Sequence, residues 1–224
     1  MKYKTELHCH SRDGSGCSNE SAEGIVKKYL EHGYSTVVLT NHFDPAWNPD
    51  DREWWMEQIE NKFSAYDKLV EAAEGKLNIL MGMECRFVEN NNDYVILGIT
   101  REFLETIDVN ITKSIRTFAE KAHEAGMFII LAHPFRPHMA MMRPDHVDAI
   151  EVYNGHLDHD NHNFLAEAFA EHYGKIKTSG TDHHDRDHMP RGGIMTDDPI
   201  TSIPQLIEVL KSGNYELIKT PPID

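Results

Sequence analysis

Short β-branched, apolar runs alternate with longer amphipathic stretches from one end of the chain to the other. The runs predict strands at Lys4–His8, Thr36–Thr40, Leu77–Met83, Tyr94–Ile99, Phe128–Ala132, Ala149–Val152 and Lys175–Ser179, with a last one near Tyr215–Lys219. A 3.6-residue periodicity predicts helices at Ala22–His32, Arg52–Ala73, Thr112–Ala125, His162–His172 and Ile203–Lys211. Gly33, Gly75, Gly126 and Gly174 each follow a helical stretch, as C-terminal caps do. This rhythm implies an α/β fold: a mainly parallel sheet with right-handed crossovers, either a closed barrel or a doubly wound sheet. No repeat, long linker or low-complexity segment interrupts it. A chain of 224 residues suits one domain, residues 1–224, better than two.

Polar clusters sit just after the predicted strands: HCHSRDGSGC, TNHFDP, MECRF, AHPFRP, YNGHLDHD and GTDHHD. Strands that all deliver polar residues to one rim favour the barrel, whose reactive groups lie at the strand C-termini.

The individual clusters suggest cation binding. Alternation along the first strand turns His8 and His10 one way and Cys9 the other. Two imidazoles a pleat apart suit one cation, or else are partly buried histidines bonded to backbone carbonyls; Cys9 reads as packing. Glu6, one pleat deeper on the same face, either orients His8 or is a plain buried hydrogen-bonding group. His42 is a ligand candidate, and Asp44, before Pro45, reads as a turn former. Glu84 ends the third strand, and its two oxygens can bridge two cations. Arg86 shares that face and either binds phosphate or pairs with Glu84. His133 follows FIILA with Arg136 three residues on, a ligand beside a guanidinium that forks onto phosphate oxygens; the other reading of Arg136 is a surface ion pair. Asp182 and His184 share a face if the chain stays extended, with His183 turned away. Gly192-Gly193, after Arg191, would admit an anion to the backbone or simply form a turn. The stretch His156–His162 reads as a solvated loop entering a helix, with Asp160 or Asn161 as N-cap. Asn154 is better placed to reach a substrate. Trp54, Trp55 and Met56 read as helix packing or a pocket lid.

Composition sharpens this. Fifteen histidines lie outside any single tract, and histidine is the commonest metal ligand. The formal net charge of −15 disfavours a broad basic surface, so no extended nucleic-acid duplex is expected. An anionic substrate still fits if bound cations reverse the sign locally. No apolar run approaches the ~18 residues of a membrane span. Cys9, Cys17 and Cys85 lack paired spacing, and no basic-then-apolar leader precedes His8; the expectation is a cytoplasmic protein without disulfides. A P-loop, a serine-hydrolase elbow and a paired Cys-x-x-Cys are all missing from the sequence.

His-x-His at the first strand, Thr-x-His at the second, Gly-x-Glu at the third, then Ala-His-Pro and Gly-Thr-Asp-x-His together resemble the PHP (polymerase and histidinol phosphatase) family, from about Glu6 to Gly193. The resemblance implies a distorted seven-stranded β/α barrel, TIM-like in outline, holding two or three divalent ions and hydrolysing phosphoesters. By position, His8, His10, Glu84 and Asp182 resemble the ligands of one ion. Glu84 and His133 resemble part of the ligand set of a second ion, with Glu84 bridging, and His42 and His184 resemble ligands of a third ion. Where many relatives carry another His or Asp this chain has Gly16, for which Asp13 is the substitute candidate. Where many carry a histidine after the glutamate it has Val95, leaving Asp93 or water.

The expected activity is hydrolysis of a small phosphorylated substrate, with the ions generating hydroxide near neutral pH and clamping the phosphoryl oxygens. Arg136 and Arg191 would neutralise developing charge. Mixed imidazole and carboxylate ligands suit zinc, iron or manganese. One alternative is a metal-dependent amidohydrolase, although no lysine ends a predicted strand between Leu77 and Ala132 to bridge its ions. The other is a non-catalytic metal-binding regulatory module. Substrate identity, general acid and oligomeric state are not legible.

Overall fold

The computed structural model describes residues 2–44 and 51–221. Its strands are β1 (Tyr3–Cys9), β2 (Tyr34–Leu39), β3 (His42–Phe43), β4 (Asn78–Arg86), β5 (Asp93–Leu97), β6 (Phe128–Leu131), β7 (Ala149–Asn154), β8 (Ile176–Gly180), β9 (Ile194–Thr196) and β10 (Glu216–Leu217). Its helices are α1 (Ala22–Glu31), α2 (Arg52–Ala73), α3 (Arg101–Thr106), α4 (Ile115–Glu124), α5 (Asn163–Tyr173) and α6 (Ile203–Ser212), with a 3-10 turn at Val109–Lys113.

Seven strands follow one another in the order β1-β2-β4-β5-β6-β7-β8, and the sheet curls until its ends nearly meet. They meet beyond the strand C-termini, where Asp182 N donates to His8 O and His10 N to His183 O, both at 2.9 Å. At the opposite end β9 lies antiparallel against Tyr3–Thr5 of β1, with β10 outside it. The result is the distorted, barrel-shaped α/β sheet that the resemblance implies. Gly180 permits the closure. A Cβ there would collide with His8 Cβ and the Glu151 carboxylate, so only glycine brings β8 this close to β1.

The sheet is less uniformly parallel than the strand–helix rhythm predicts, because β5 runs against both β4 and β6. Residues 87–92 join β4 to β5, too few for the crossover that a parallel partner requires. The reversal puts the first residue of β5, Asp93, on the same rim as the last residues of the parallel strands. Three short elements escape the sequence pattern: β3, β9 and α3 are too brief to show a period. Helix α4 starts later than predicted, since Ser114 adopts an extended conformation and caps it through Thr117 N. Helix α5 is entered by His162, with φ 45° and no side-chain cap, in place of the expected Asp160 or Asn161. Gly33, Gly75, Gly126 and Gly174 do follow their helices with positive φ.

Alternation along the strands sorts two cores. Phe128 and Ile130 join Leu7, Val38, Leu80 and Val95 inside the curled sheet, where Leu206 and Leu210 of α6 close the floor. Ile129 and Leu131 face outward to the cluster that holds Phe118 of α4 and Ile59 of α2. The interior below the rim is therefore lined mainly by apolar side chains, and the charged and imidazole groups gather at the rim. No helix among the described residues is long and apolar enough to cross a membrane.

Candidate metal centre

The parallel strands deliver their last side chains to one end of the barrel. There His8 and His10 meet Glu84 and Asp182, all four essentially buried. His8 Nε2 lies 3.3 Å from Glu84 Oε1 and 3.4 Å from Asp182 Oδ1; His10 Nε2 lies 3.2 Å from Glu84 Oε2 and 3.3 Å from Asp182 Oδ1. Yet His8 Nε2, His10 Nε2 and Asp182 Oδ1 are buried without a hydrogen bond, close to one another but not aligned for one. Ligand atoms around one ion at 2.0–2.1 Å stand about 3.0–3.4 Å apart. The spacing fits that geometry, and a shared cation accounts for atoms that would otherwise be stranded.

Two more groups adjoin this one. Glu84, Asp93 and His133 form the first, with His133 Nε2 at 3.0 Å from Glu84 Oε1 and His133 Nδ1 buried without a partner. His10, His42 and His184 form the second, with His42 Nδ1 at 3.2 Å from Glu84 Oε2. Glu84 thus stands between the groups, as the bridging expectation requires of its position. Its backbone is placed by β4, where it pairs with His42 on one side and Val95 on the other.

The electrostatics call for positive charge at this point. Burial alone would raise the carboxyl of Glu84, but the imidazoles, His8 foremost, hold it well below the carboxylate range. Asp182 behaves in the same way, through His8 and His184. Burial would depress His8, and Asp182, Glu84 and Glu151 together raise it well above its usual value. At His42 burial, aided by the neighbouring His10 and His184, outweighs the pull of Glu84 and pushes it down to about 3.

The rings are oriented from behind. Glu151 Oε1 accepts from His8 Nδ1 at 3.0 Å, while its Oε2 accepts from His133 N at 3.0 Å and Asn154 Nδ2 at 2.9 Å. The sequence reading missed Glu151, though a lone carboxylate among the buried residues of Ala-Ile-Glu-Val was a usable signal. Glu6 does not play that part. The register of β1 against β2 shifts between Glu6 and Cys9, so simple alternation fails there. Glu6 turns to Tyr29 of α1 and to Thr181, and its Oε1 accepts from Leu7 N, His8 N and Thr181 N. It ties β1 to the segment after β8.

Other candidates lie elsewhere. Asp13 is not brought to the cluster; its carboxylate pairs with Lys68 at 2.9 Å. Arg191 is not either: it leaves the rim, with Nη1 on Pro221 O at 2.6 Å. Gly192 N and Gly193 N, read as an approach for an anion or simply a turn, bond Thr181 Oγ1 and Ser179 Oγ. Arg86 does not pair with Glu84 but forks onto Asp93, at 2.8 and 2.7 Å. Arg136 is no surface pair. Its Nη2 reaches Asp182 Oδ2 at 2.6 Å and Asn154 Oδ1 at 3.1 Å, and its Nε reaches Asn161 Oδ1 at 2.9 Å. Asp182 has φ 55°, not the extended form assumed, and His184 folds back so that Nδ1 meets the Asp182 carbonyl at 3.0 Å. His183 points away, as expected, towards Glu20 at 3.6 Å. Trp55 packs in the core against Phe43. Asp44 is largely enclosed beside His42, and burial pushes its carboxyl up to about 7; the turn expected with Pro45 lies outside the described residues. The cluster opens into a cleft of about 500 Å³ lined by Glu84, Arg136, His156, Asp182 and His184 among others.

No family model matches the sequence, and no curated protein does. Solved structures do. A two-domain protein of Bacteroides vulgatus, containing a predicted PHP-like metal-dependent phosphoesterase, superposes with a TM-score of 0.69 over 98% of this chain at 17% identity. The fold is of the PHP type. The chain spans 65% of that protein's length. A Bifidobacterium adolescentis protein assigned as a metal-dependent phosphoesterase matches at a TM-score of 0.59, with 13% identity over 93% of this chain and 96% of its own. An amidohydrolase of Chromobacterium violaceum, with bound sulfate and no metal, gives 0.52 and 15% identity over 96% of this chain and 98% of its own.

Proposed function

We propose that the chain is a single metal-dependent phosphoesterase unit acting on a small phosphorylated substrate. The observation that carries this reading is the convergence of His8, His10, Glu84 and Asp182: His8 Nε2, His10 Nε2 and Asp182 Oδ1 are buried without a hydrogen bond, and the facing atoms of the four stand 3.2–3.4 Å apart. These four would hold one divalent ion. Glu84, His133 and Asp93 would hold a second, and His42 and His184, with His10 beside them, a third. Such ions, zinc, iron or manganese, lower the pKa of bound water and neutralise phosphoryl charge. The protein supplies the rest. Glu151 and Asn154 fix the rings and Asp182, and the apolar floor keeps the polar rim from being hydrated from below. Arg136, anchored to two asparagines, directs its guanidinium along the cleft wall toward a phosphoryl oxygen. Carboxylates outnumber cationic side chains around this cleft, so an anionic substrate depends on the ions. Glu84, a carboxylate of the chain itself, would be the bridging group, which favours phosphoester over amide hydrolysis.

Protein purified without chelator should carry two or more divalent ions per chain by elemental analysis. It should turn over members of a panel of phosphomonoesters and phosphodiesters with manganese, iron or zinc added. Less than one ion after reconstitution, or turnover of amides alone, would overturn the proposal.

A further inference from the structure

Five histidines around the cleft fall into two groups according to what Nδ1 does. In His8, His10 and His184 it faces an acceptor: Glu151 Oε1 at 3.0 Å, Ser15 Oγ at 3.3 Å and the Asp182 carbonyl at 3.0 Å. Ser15 is an acceptor here because its own proton goes to Asn41 Oδ1. These rings carry a proton on Nδ1 and offer the Nε2 lone pair, the arrangement of metal-binding imidazoles.

His156 and His188 are the reverse. His156 Nδ1 accepts the backbone N–H of Asp158 at 3.2 Å; His188 Nδ1 accepts those of His184 at 3.2 Å and Asp185 at 3.3 Å. A nitrogen that accepts an N–H carries no proton of its own, so the hydrogen-bond network puts the proton on Nε2. By distance alone His156 resembles a ligand, since it groups with Asp182 and His184. The tautomer argues the opposite: an Nε2–H has no lone pair to give a cation, but it can donate to an anion.

The ring is also held in place. His156 N donates to Asn154 Oδ1 at 3.1 Å and its carbonyl accepts from Asn161 Nδ2 at 3.0 Å. The same two side chains anchor Arg136. A guanidinium and an imidazole N–H are thus fixed to one pair of amides beside the ligand cluster, donors set in advance for oxygen atoms arriving in the cleft.

We propose that His156 is a substrate-contacting hydrogen-bond donor, its Nε2–H binding an oxygen of a tetrahedral oxyanion of the phosphate class held at the cluster, and that it is not a metal ligand. This rests on the phosphoesterase reading above. The test uses the zinc-reconstituted full chain, with inorganic phosphate as probe in calorimetry and elemental analysis for metal. His156→Ala should keep the wild-type metal content and bind phosphate about 10- to 100-fold more weakly, the worth of one hydrogen bond to a charged group. His156→Gln, which offers an amide N–H, should recover part of the loss. Long-range 1H–15N correlation on the zinc-loaded wild type should show His156 protonated on Nε2. Loss of a metal equivalent in both variants, an Nδ1–H tautomer, or an unchanged phosphate Kd with His156→Ala would each overturn this role alone. Wild type that takes up zinc but binds no phosphate would overturn the phosphoesterase reading with it.

Discussion

Glu151→Gln is nearly isosteric, so its effect can be worked from the hydrogen bonds alone. Three donors converge on the two carboxylate oxygens: His8 Nδ1, His133 N and Asn154 Nδ2. An amide has one oxygen and an NH2. If the oxygen stays with His133 N and Asn154, the NH2 faces His8, whose Nδ1 must give up its proton to accept. The proton then moves to Nε2, the nitrogen aimed at Glu84 and Asp182, and His8 loses the lone pair that a cation needs. If the amide is flipped, the NH2 meets two donors, each costing about 1–3 kcal/mol when stranded in the interior. The first arrangement is the less costly, so the damage falls mainly on metal binding. Loss of such an orienting partner weakens affinity roughly 10–100-fold, or about 1.4–2.7 kcal/mol. Zinc titration against a chromophoric chelator reads this directly. Denaturant unfolding should show the gap between variant and wild type widening by that amount when zinc replaces chelator. A Glu151→Gln protein that binds zinc as tightly as wild type would refute the argument that Glu151 sets the tautomer of His8.

Glu84→Gln should lose more than one equivalent of metal and nearly all phosphoesterase activity with the fold intact by circular dichroism, because one amide oxygen cannot serve two cations; if His42→Ala strips more metal, the bridging assignment is wrong. Gly180→Ala should destabilise by about 3 kcal/mol or more in chemical denaturation, as β8 must withdraw from His8 and Glu151. Gly16→Ala, with nothing within 4 Å, should change little, and equal effects would refute the close-approach argument. Burial pushes Lys62 down to about 8 from 10.5. Between those values the unfolded chain binds the extra proton, so stability rises with pH, and the cost persists in full below about 8. Relative to Lys62→Met, wild type should gain up to about 3 kcal/mol between pH 8 and 10.5; parallel pH profiles of the two proteins would show that the ammonium is not penalised.

The sequence revealed those parts of the site that depend on chain order. His8, His10, His42, Glu84, His133, Asp182 and His184 each lie at or within a few residues of the C-terminal end of a predicted strand, and a mainly parallel barrel gathers those ends whatever the details of packing. What it hid depends on contacts between distant segments. Arg86 is claimed by Asp93 only because β5 reverses, and Arg191 is drawn away by the carbonyl of Pro221. Neither partner is visible from local pattern. Alternation misplaced Glu6 because β1 is irregular where the ligands begin, and Asp182 and His184 converge through a left-handed residue, not an extended one. The regular helices were legible from period and caps; α3, β3 and β9 were too short to carry a period.

The first and last strands of the barrel meet directly at one end, and through β9 at the other. Between β1 and β8 the described backbone hydrogen bonds lie beyond the strand tips, around His8, His10, Asp182 and His183, whereas β9 occupies the other end. The ligand set straddles that join: His8 and His10 come from the first segment of the chain and Asp182 and His184 from a segment more than a hundred and seventy residues later. A cation shared between them, as proposed above, would be a clasp as well as a reagent. Binding then lends the folded form RT ln(1 + [L]/Kd), all of it applied where the loop closed in sequence is longest. Depletion of metal would loosen this join first, exposing the stretch from β8 to β9 to proteases while the rest of the sheet holds. The lifetime of the protein in a cell would follow its metal supply, and the chain would be withdrawn under the same conditions in which it cannot work.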